Sequence, residues 1–183
     1  HFDLTPAHVF LGNGSDEVLG HVFLGLLKHG RPILFPDITY SFYPVYCRLF
    51  GIAYEAVPLD QSMCIRVADY RRPAGAVIVP NPNAPTGIAL SRAEIVTLLR
   101  DHPDAPVVID EAYLEFVTAP DSPDALAVHR SRPNVAVLRT FSKAYGLAGL
   151  RVGYALGRAR LISGFRAAST PFGVNALAQV AAM

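Results

Sequence analysis

Short apolar runs recur along the chain, at 9–11, 32–35, 52–59, 76–79, 106–109, 135–138 and 152–156, each closed by glycine, proline or polar turn residues. Most are apolar at every position; only 52–59 alternates. An uninterrupted apolar run suits a strand covered by helices on both faces, the usual situation of a parallel sheet. Helical patterns fill several of the gaps between these runs. At least six such strands, several joined through helices, predict an α/β domain: three α/β/α layers around a mostly parallel, doubly wound central sheet. The length of 183 residues suits one domain with a full core, and 51% hydrophobic against 17% charged residues excludes a disordered chain.

The helices announce themselves by stripe and cap. Val18, Leu19, Val22, Phe23, Leu26 and Leu27 repeat at helical spacing after Gly12-Asn13-Gly14-Ser15-Asp16-Glu17. Ser15 or Asp16 is expected to cap that helix, so that a glycine turn aims free N–H groups at an anion, phosphate above all. A dinucleotide fingerprint would need glycine where the chain has Glu17. Tyr40, Phe42, Tyr43 and Tyr46 open another helix reaching Gly51. Aromatics at this spacing read as core, with Tyr40 set apart because it follows a strand-end loop and could stack on a flat ligand. Ser91 and Glu94 form a capping box before a third helix. Residues 158–168 and those from Asn175 onward complete the helical patterns, and 118–132 is a proline-broken excursion containing His129.

Three strand ends carry unusual groups. Among 16 lysines and arginines only Lys28 and Lys143 are lysine. Lys28 closes a helix beside His29-Gly30, where it needs no function. Lys143 follows the run 135–138 with Thr140 and Ser142, at the kind of position where ligands collect in open α/β sheets. A lysine enclosed there can attack a carbonyl and form a Schiff base; a lysine in an ordinary surface loop is the plain alternative, and the stretch alone does not separate them. Asp110 ends a wholly apolar strand, a costly place for an acid unless something positive meets it. Residues 80–87 hold three prolines and a glycine, a rigid loop that continues neither strand nor helix.

A lysine, an acid, an arginine (Arg151), a glycine turn at a helix start, a tyrosine and hydroxyls together match the needs of one cofactor, pyridoxal 5'-phosphate. Its aldehyde takes an amine, its pyridinium nitrogen takes an acid, and its phosphate takes a helix N-terminus with an arginine. Four segments, GNGSDE, PNAPTG, VIDEAYLEF and LRTFSKAYGLAGLRVGYALG, closely resemble the fold-type I pyridoxal-phosphate aminotransferases, the histidinol-phosphate aminotransferases above all. The resemblance spans nearly the whole chain in order. It implies an aspartate-aminotransferase-like large domain, with Lys143 as Schiff-base lysine and Asp110 as partner of the pyridinium nitrogen. By the same resemblance Tyr113 bonds the cofactor's phenolic oxygen, Tyr40 stacks on its ring, and Gly14, Ser15, Asp16, Thr140, Ser142 and Arg151 hold its phosphate. The family usually has asparagine directly before Pro-Thr-Gly; here that position is Ala84, and Asn83 stands one residue earlier as its substitute.

The implied reaction moves an amino group between histidinol phosphate and 2-oxoglutarate or glutamate, in histidine biosynthesis, in a cytoplasmic homodimer. An aromatic aminotransferase and a threonine-phosphate decarboxylase share the scaffold and remain alternatives. A nicotinamide-dependent oxidoreductase is the alternative of a different class, with Glu17 against it. The resemblance also implies that residues 1–183 form the cofactor-binding large domain of a longer protein. An N-terminal arm and a C-terminal small domain would lie outside it, and the segment alone is expected to be inactive. A net charge of +1 argues against binding nucleic acid by charge, and no run is long and apolar enough to span a membrane. Cys47 and Cys64 lack metal-site spacing and fit a reducing compartment; no histidine has a partner at metal spacing, so no metal is expected.

Overall fold

A computed structural model of the chain describes residues 4–118, 124–127, 132–170 and 173–181. Its centre is a seven-stranded sheet in the order β1-β7-β6-β5-β4-β2-β3. The strands are β1 (Val9–Asn13), β2 (Ile33–Pro36), β3 (Tyr54–Val57), β4 (Ala76–Pro80), β5 (Val107–Asp110), β6 (Val135–Thr140) and β7 (Val152–Gly157). β3, β2, β4, β5 and β6 pair in parallel, while β7 runs antiparallel to both β6 and β1. The sheet is therefore mostly parallel, as expected, with one reversed strand that an apolar run cannot announce.

The five-residue run of β4 shows why the strands need no polar alternation. Ala76 and Ile78 face one core with Val18, Phe23, Tyr43 and Ile162, whereas Val77 and Val79 face another with Ile95, Leu98 and Leu99. Helices α1 (Ser15–Val22), α2 (Tyr43–Phe50) and α4 (Ala159–Ala168) supply the first face, and α3 (Arg92–Asp101) supplies the second. Both faces of a central strand are thus dry, and period-two polarity has no solvent to answer to. β3 is the contrast. It pairs only with β2 at the sheet edge, and only Val57 of its four residues is buried, so the alternating run 52–59 yields a strand of just Tyr54–Val57.

Local chemistry closes the helices. Glu94 N–H bonds Ser91 Oγ at 3.3 Å and the Glu94 carboxylate takes the Ser91 N–H at 2.7 Å, the expected capping box of α3. Gly51 ends α2 in the left-handed region at φ 66°, open to glycine without strain. α1 departs from expectation at both ends. Its N-cap is Gly14 rather than Ser15 or Asp16, and after Val22 it widens into a π-helical turn, Phe23–Leu27. A final helix, α5, spans Ala176–Ala181. Much of the excursion at 118–132, with His129, and Pro171-Phe172 lie outside the described residues.

Candidate active site

The parallel strands bring the carboxyl ends of β2, β4, β5 and β6 to one edge. Two antiparallel pairings add the rest: Thr140 lies opposite Gly153, and Asn13 opposite Val152, so the start of β7 and the end of β1 meet that edge too. This register is what carries Arg151, Gly14 and Lys143 to one place. A cleft there is lined by Ser15, Asp16, Tyr40, Asp110, Tyr113, Ser142, Lys143 and Arg151. Leu19, Pro80, Ala84 and Ala112 complete its lining. A second, larger cleft adjoins it between the 82–89 loop and Tyr113–Thr118, and shares Ala84 and Tyr113 with it.

Part of the lining is built for an anion. The first intrahelical bond of α1 runs from Val18 N–H to Gly14 C=O at 3.4 Å, so the N–H groups of Ser15 and Asp16 open at the helix start. Gly14 holds φ 83°, and a Cβ there would run into the Arg151 guanidinium. Gly153 is equally constrained, since a Cβ would strike the backbone of Gly14 and Ser15. These glycines let β7 and the turn before α1 close on each other. Arg151 itself has φ 55°, a left-handed conformation unusual for arginine. Its Nη2 lies 3.1 Å from Asp16 Oδ2, and Tyr40 donates its hydroxyl to Asp16 Oδ1 at 2.8 Å. Glu17, the residue that breaks a dinucleotide fingerprint, accepts the Asn13 N–H at 2.5 Å and so ties the turn together.

The lining also presents an acid and an amine. Asp110 is buried, and no cation among the described residues bonds it: Tyr43 donates its hydroxyl to Oδ2 at 2.8 Å and Ala112 N–H reaches Oδ1 at 3.2 Å. Burial pushes the Asp110 carboxyl above the usual carboxylate range, against the pull of those two donors. The arginine nearest this strand end serves the next residue. Glu111 is fully buried and meets Arg139 at 2.8 Å, which also reaches Asp124 at 2.7 Å on the far side of the sheet. Lys143 is exposed rather than enclosed, with Nζ 5.3 Å from the centre of the Tyr113 ring.

Eight of the eleven residues singled out in the sequence line this cleft. Gly14 stands behind it as the cap of α1. Thr140 is buried, bonding Val152 C=O at 3.3 Å and accepting the Ser142 N–H at 3.1 Å, so it shapes the strand end from beneath. Asn83 does not line this cleft but the adjoining one. Its amide donates to Ile38 C=O at 3.0 Å and to Thr86 at 3.2 Å, and its carbonyl accepts from Thr39 at 3.1 Å. Those bonds pin the proline loop to the segment after β2, and Ala84 takes the place on the cleft wall.

Tyr43 is the residue that sequence reasoning missed. Its ring is core, as read, but its hydroxyl bonds Asp110, which lines the cleft. The available signal was proximity: Tyr40 lies three residues before Tyr43, just ahead of α2, and their ring centres are 5.6 Å apart. Three observations show that the cleft fits a phosphate-bearing aromatic cofactor. Ser142 Oγ is buried with no partner among the described residues, the helix start opens toward Arg151, and a buried carboxylate belongs to the same lining.

A family model described as aminotransferase class I and II matches residues 1–183. Histidinol-phosphate aminotransferase 1 of Bradyrhizobium diazoefficiens is 58% identical over 160 residues, 87% of this chain and 45% of that protein. Histidinol-phosphate aminotransferase 2 of Rhizobium meliloti is 55% identical over 178 residues, 97% of this chain and 50% of that protein. Among solved structures, histidinol-phosphate aminotransferase from Sinorhizobium meliloti in complex with pyridoxal-5'-phosphate superposes with a TM-score of 0.89 at 29% identity, over 100% of this chain and 51% of that one. The chain thus spans about half the length of the curated relatives it matches.

Proposed function

The chain belongs to the aminotransferase class I and II family, and from that premise we propose that it is the pyridoxal-phosphate-binding domain of a histidinol-phosphate aminotransferase. The observation that carries this reading is the convergence of Lys143, Asp110, Tyr113, Tyr40, Ser142 and Arg151 on one cleft at the carboxyl edge of the sheet. When bound, pyridoxal phosphate supplies an aldehyde that takes an amine and a ring that withdraws electrons from the substrate's α-carbon. The start of α1, Ser142 and Arg151 would bind the phosphate; Asp110 would face the ring nitrogen, and Tyr113 the phenolic oxygen. Tyr40 would lie against the ring face. Lys143 would provide the amine for the aldehyde and, once a substrate amine replaces it, would take up the proton from the amine-bearing carbon and deliver it to the carbon that had carried the aldehyde oxygen. Asn83 takes a supporting part, bracing the loop that carries Ala84.

The names of the relatives at 55–58% identity support histidinol phosphate as the amino donor, and we take 2-oxoglutarate as the acceptor. We place the enzyme in histidine biosynthesis, as a cytoplasmic homodimer whose remaining segments lie outside residues 1–183. No helix of the described residues is long and apolar enough to cross a membrane. The test is an assay of the protein at the full length of its relatives, offering histidinol phosphate, an aromatic amino acid or threonine phosphate with 2-oxoglutarate. Glutamate formed fastest from histidinol phosphate supports the proposal; release of carbon dioxide from threonine phosphate, or a preference for the aromatic donor, contradicts it.

A further inference from the structure

We infer that Tyr43 is a positioning residue for Asp110, its hydroxyl setting the plane of that carboxylate and keeping it a hydrogen-bond acceptor at the cleft wall. The inference deepens the proposed function and rests on it. Tyr43 sits in the first turn of α2, fully buried, with ring centres of Phe23, Phe35 and Tyr40 at 5.7, 5.8 and 5.6 Å. For that packing phenylalanine would serve as well. The hydroxyl is an addition that a dry core tolerates only with a partner, and the partner comes from β5, 67 residues along the chain.

The direction of the bond matters chemically. Burial pushes the Tyr43 phenol far above its ordinary range, helped by the adjacent Asp110 charge, so this hydroxyl stays protonated and can only donate to a carboxylate. Asp110 then accepts two bonds, from Tyr43 and from Ala112, that both favour its ionised form. Without the Tyr43 donor, the same burial would favour a neutral acid, which cannot balance a protonated ring nitrogen. Asp16, Lys143, Tyr40 and Tyr46 are the other titratable groups bearing on this carboxylate, and none of them bonds it.

The experiment compares the unaltered full-length protein with Tyr43→Phe and with 3,5-difluorotyrosine placed at position 43, a stronger donor of nearly the same shape. Cofactor affinity and steady-state kinetics are read on the loaded protein. The carbon-13 carboxyl signal of Asp110, assigned by its loss in Asp110→Asn, is titrated without cofactor. Tyr43→Phe is expected to weaken cofactor binding and lower kcat by about tenfold to a hundredfold, the worth of a hydrogen bond to a charged group, with KM within about twofold. It also moves the Asp110 titration upward, and the fluorinated side chain moves it downward. Unchanged affinity, kcat and titration in a folded Tyr43→Phe protein overturn the inference. Should that variant fail to fold, an unmoved titration in the fluorinated protein overturns it instead. A protein that forms no Lys143-dependent visible band with pyridoxal phosphate overturns the proposed function, whereas a normal band with an indifferent position 43 overturns only this inference.

Discussion

Arg151 and Asp16 meet at 3.1 Å across the mouth of the cleft, a guanidinium and a carboxylate brought together from 135 residues apart. A carboxylate has no proton to offer a phosphate, so Asp16 can serve an anion only through its main-chain N–H. Its side chain stands where the charge of that anion would be felt. Both side chains are well exposed, 40% and 51%, which limits the pair to about 1 kcal/mol or less. Asp16→Asn keeps the N–H and removes the competing charge. Inorganic phosphate should then bind the cofactor-free protein up to about fivefold more tightly in a calorimetric titration. Weaker binding would make the carboxylate itself part of the anion site.

Gly14 and Gly51 both hold positive φ, but only Gly14 is crowded. A Cβ at Gly14 would collide with the Arg151 guanidinium, while one at Gly51 meets nothing within 4 Å. Gly51→Ala should therefore cost about 1 kcal/mol of stability through backbone strain and leave phosphate and cofactor binding unchanged. Gly14→Ala should cost at least as much and, in addition, displace Arg151 and weaken cofactor binding about tenfold or more. Urea unfolding and cofactor titration, run side by side on the two variants, separate strain from site geometry.

Asp110 is buried at a cost that only a bound cation can offset fully. Its raised carboxyl means that the folded, cofactor-free protein holds this proton more tightly than the unfolded chain. The corresponding stability is present below the unfolded value and is lost as pH rises through the folded one. Asp110→Asn should accordingly raise the cofactor-free unfolding midpoint near neutral pH, by about 1 kcal/mol in stability, while sharply weakening cofactor binding. A variant that destabilises the cofactor-free protein and leaves the cofactor in place would show that the acid is structural.

What could be read from the sequence and what could not divides along physical lines. Lys143 stood out because lysine is so scarce here, Asp110 because an acid ends a dry strand, and the turn at Gly14 because glycines precede a helical stripe. Each is a local anomaly. Tyr43 was hidden because a buried aromatic ring is unremarkable, and its hydroxyl matters only once β5 lies beneath α2. Asn83 is expected at the cleft only through the family resemblance, and its amide bonds Ile38 C=O and Thr86 instead. The direction of β7 left no trace, since an apolar run looks alike in either sense. The pairing of Arg139 with Glu111 and Asp124 was equally silent, for it joins side chains 28 and 15 residues apart that touch only after β5 and β6 align.

That buried cluster has its own pH dependence. Burial pushes Glu111 up to about 7 from 4.5, against the opposing pull of Arg139 and the Ala125 N–H. With the folded value above the unfolded one, this contribution to stability is complete below about pH 4.5 and lost as pH rises to about 7. Glu111→Gln should flatten that part of the stability curve. Arg139→Leu leaves a buried carboxylate without its cation and should cost about 3–5 kcal/mol at pH 8, and visibly less at pH 5, where Glu111 can take a proton. Urea unfolding at the two pH values checks both the size and the sign.

The central claim is that Lys143 is the amine that takes the cofactor's aldehyde in this cleft. The direct measurement is a visible absorption spectrum during titration with pyridoxal phosphate, on the protein at the full length of its relatives, unaltered and as Lys143→Ala. A saturable imine band that forms in the unaltered protein and is missing from Lys143→Ala, with the variant still folded by circular dichroism, is the result expected. A band of equal strength in both proteins, or none in the unaltered one, would contradict the assignment of the cleft.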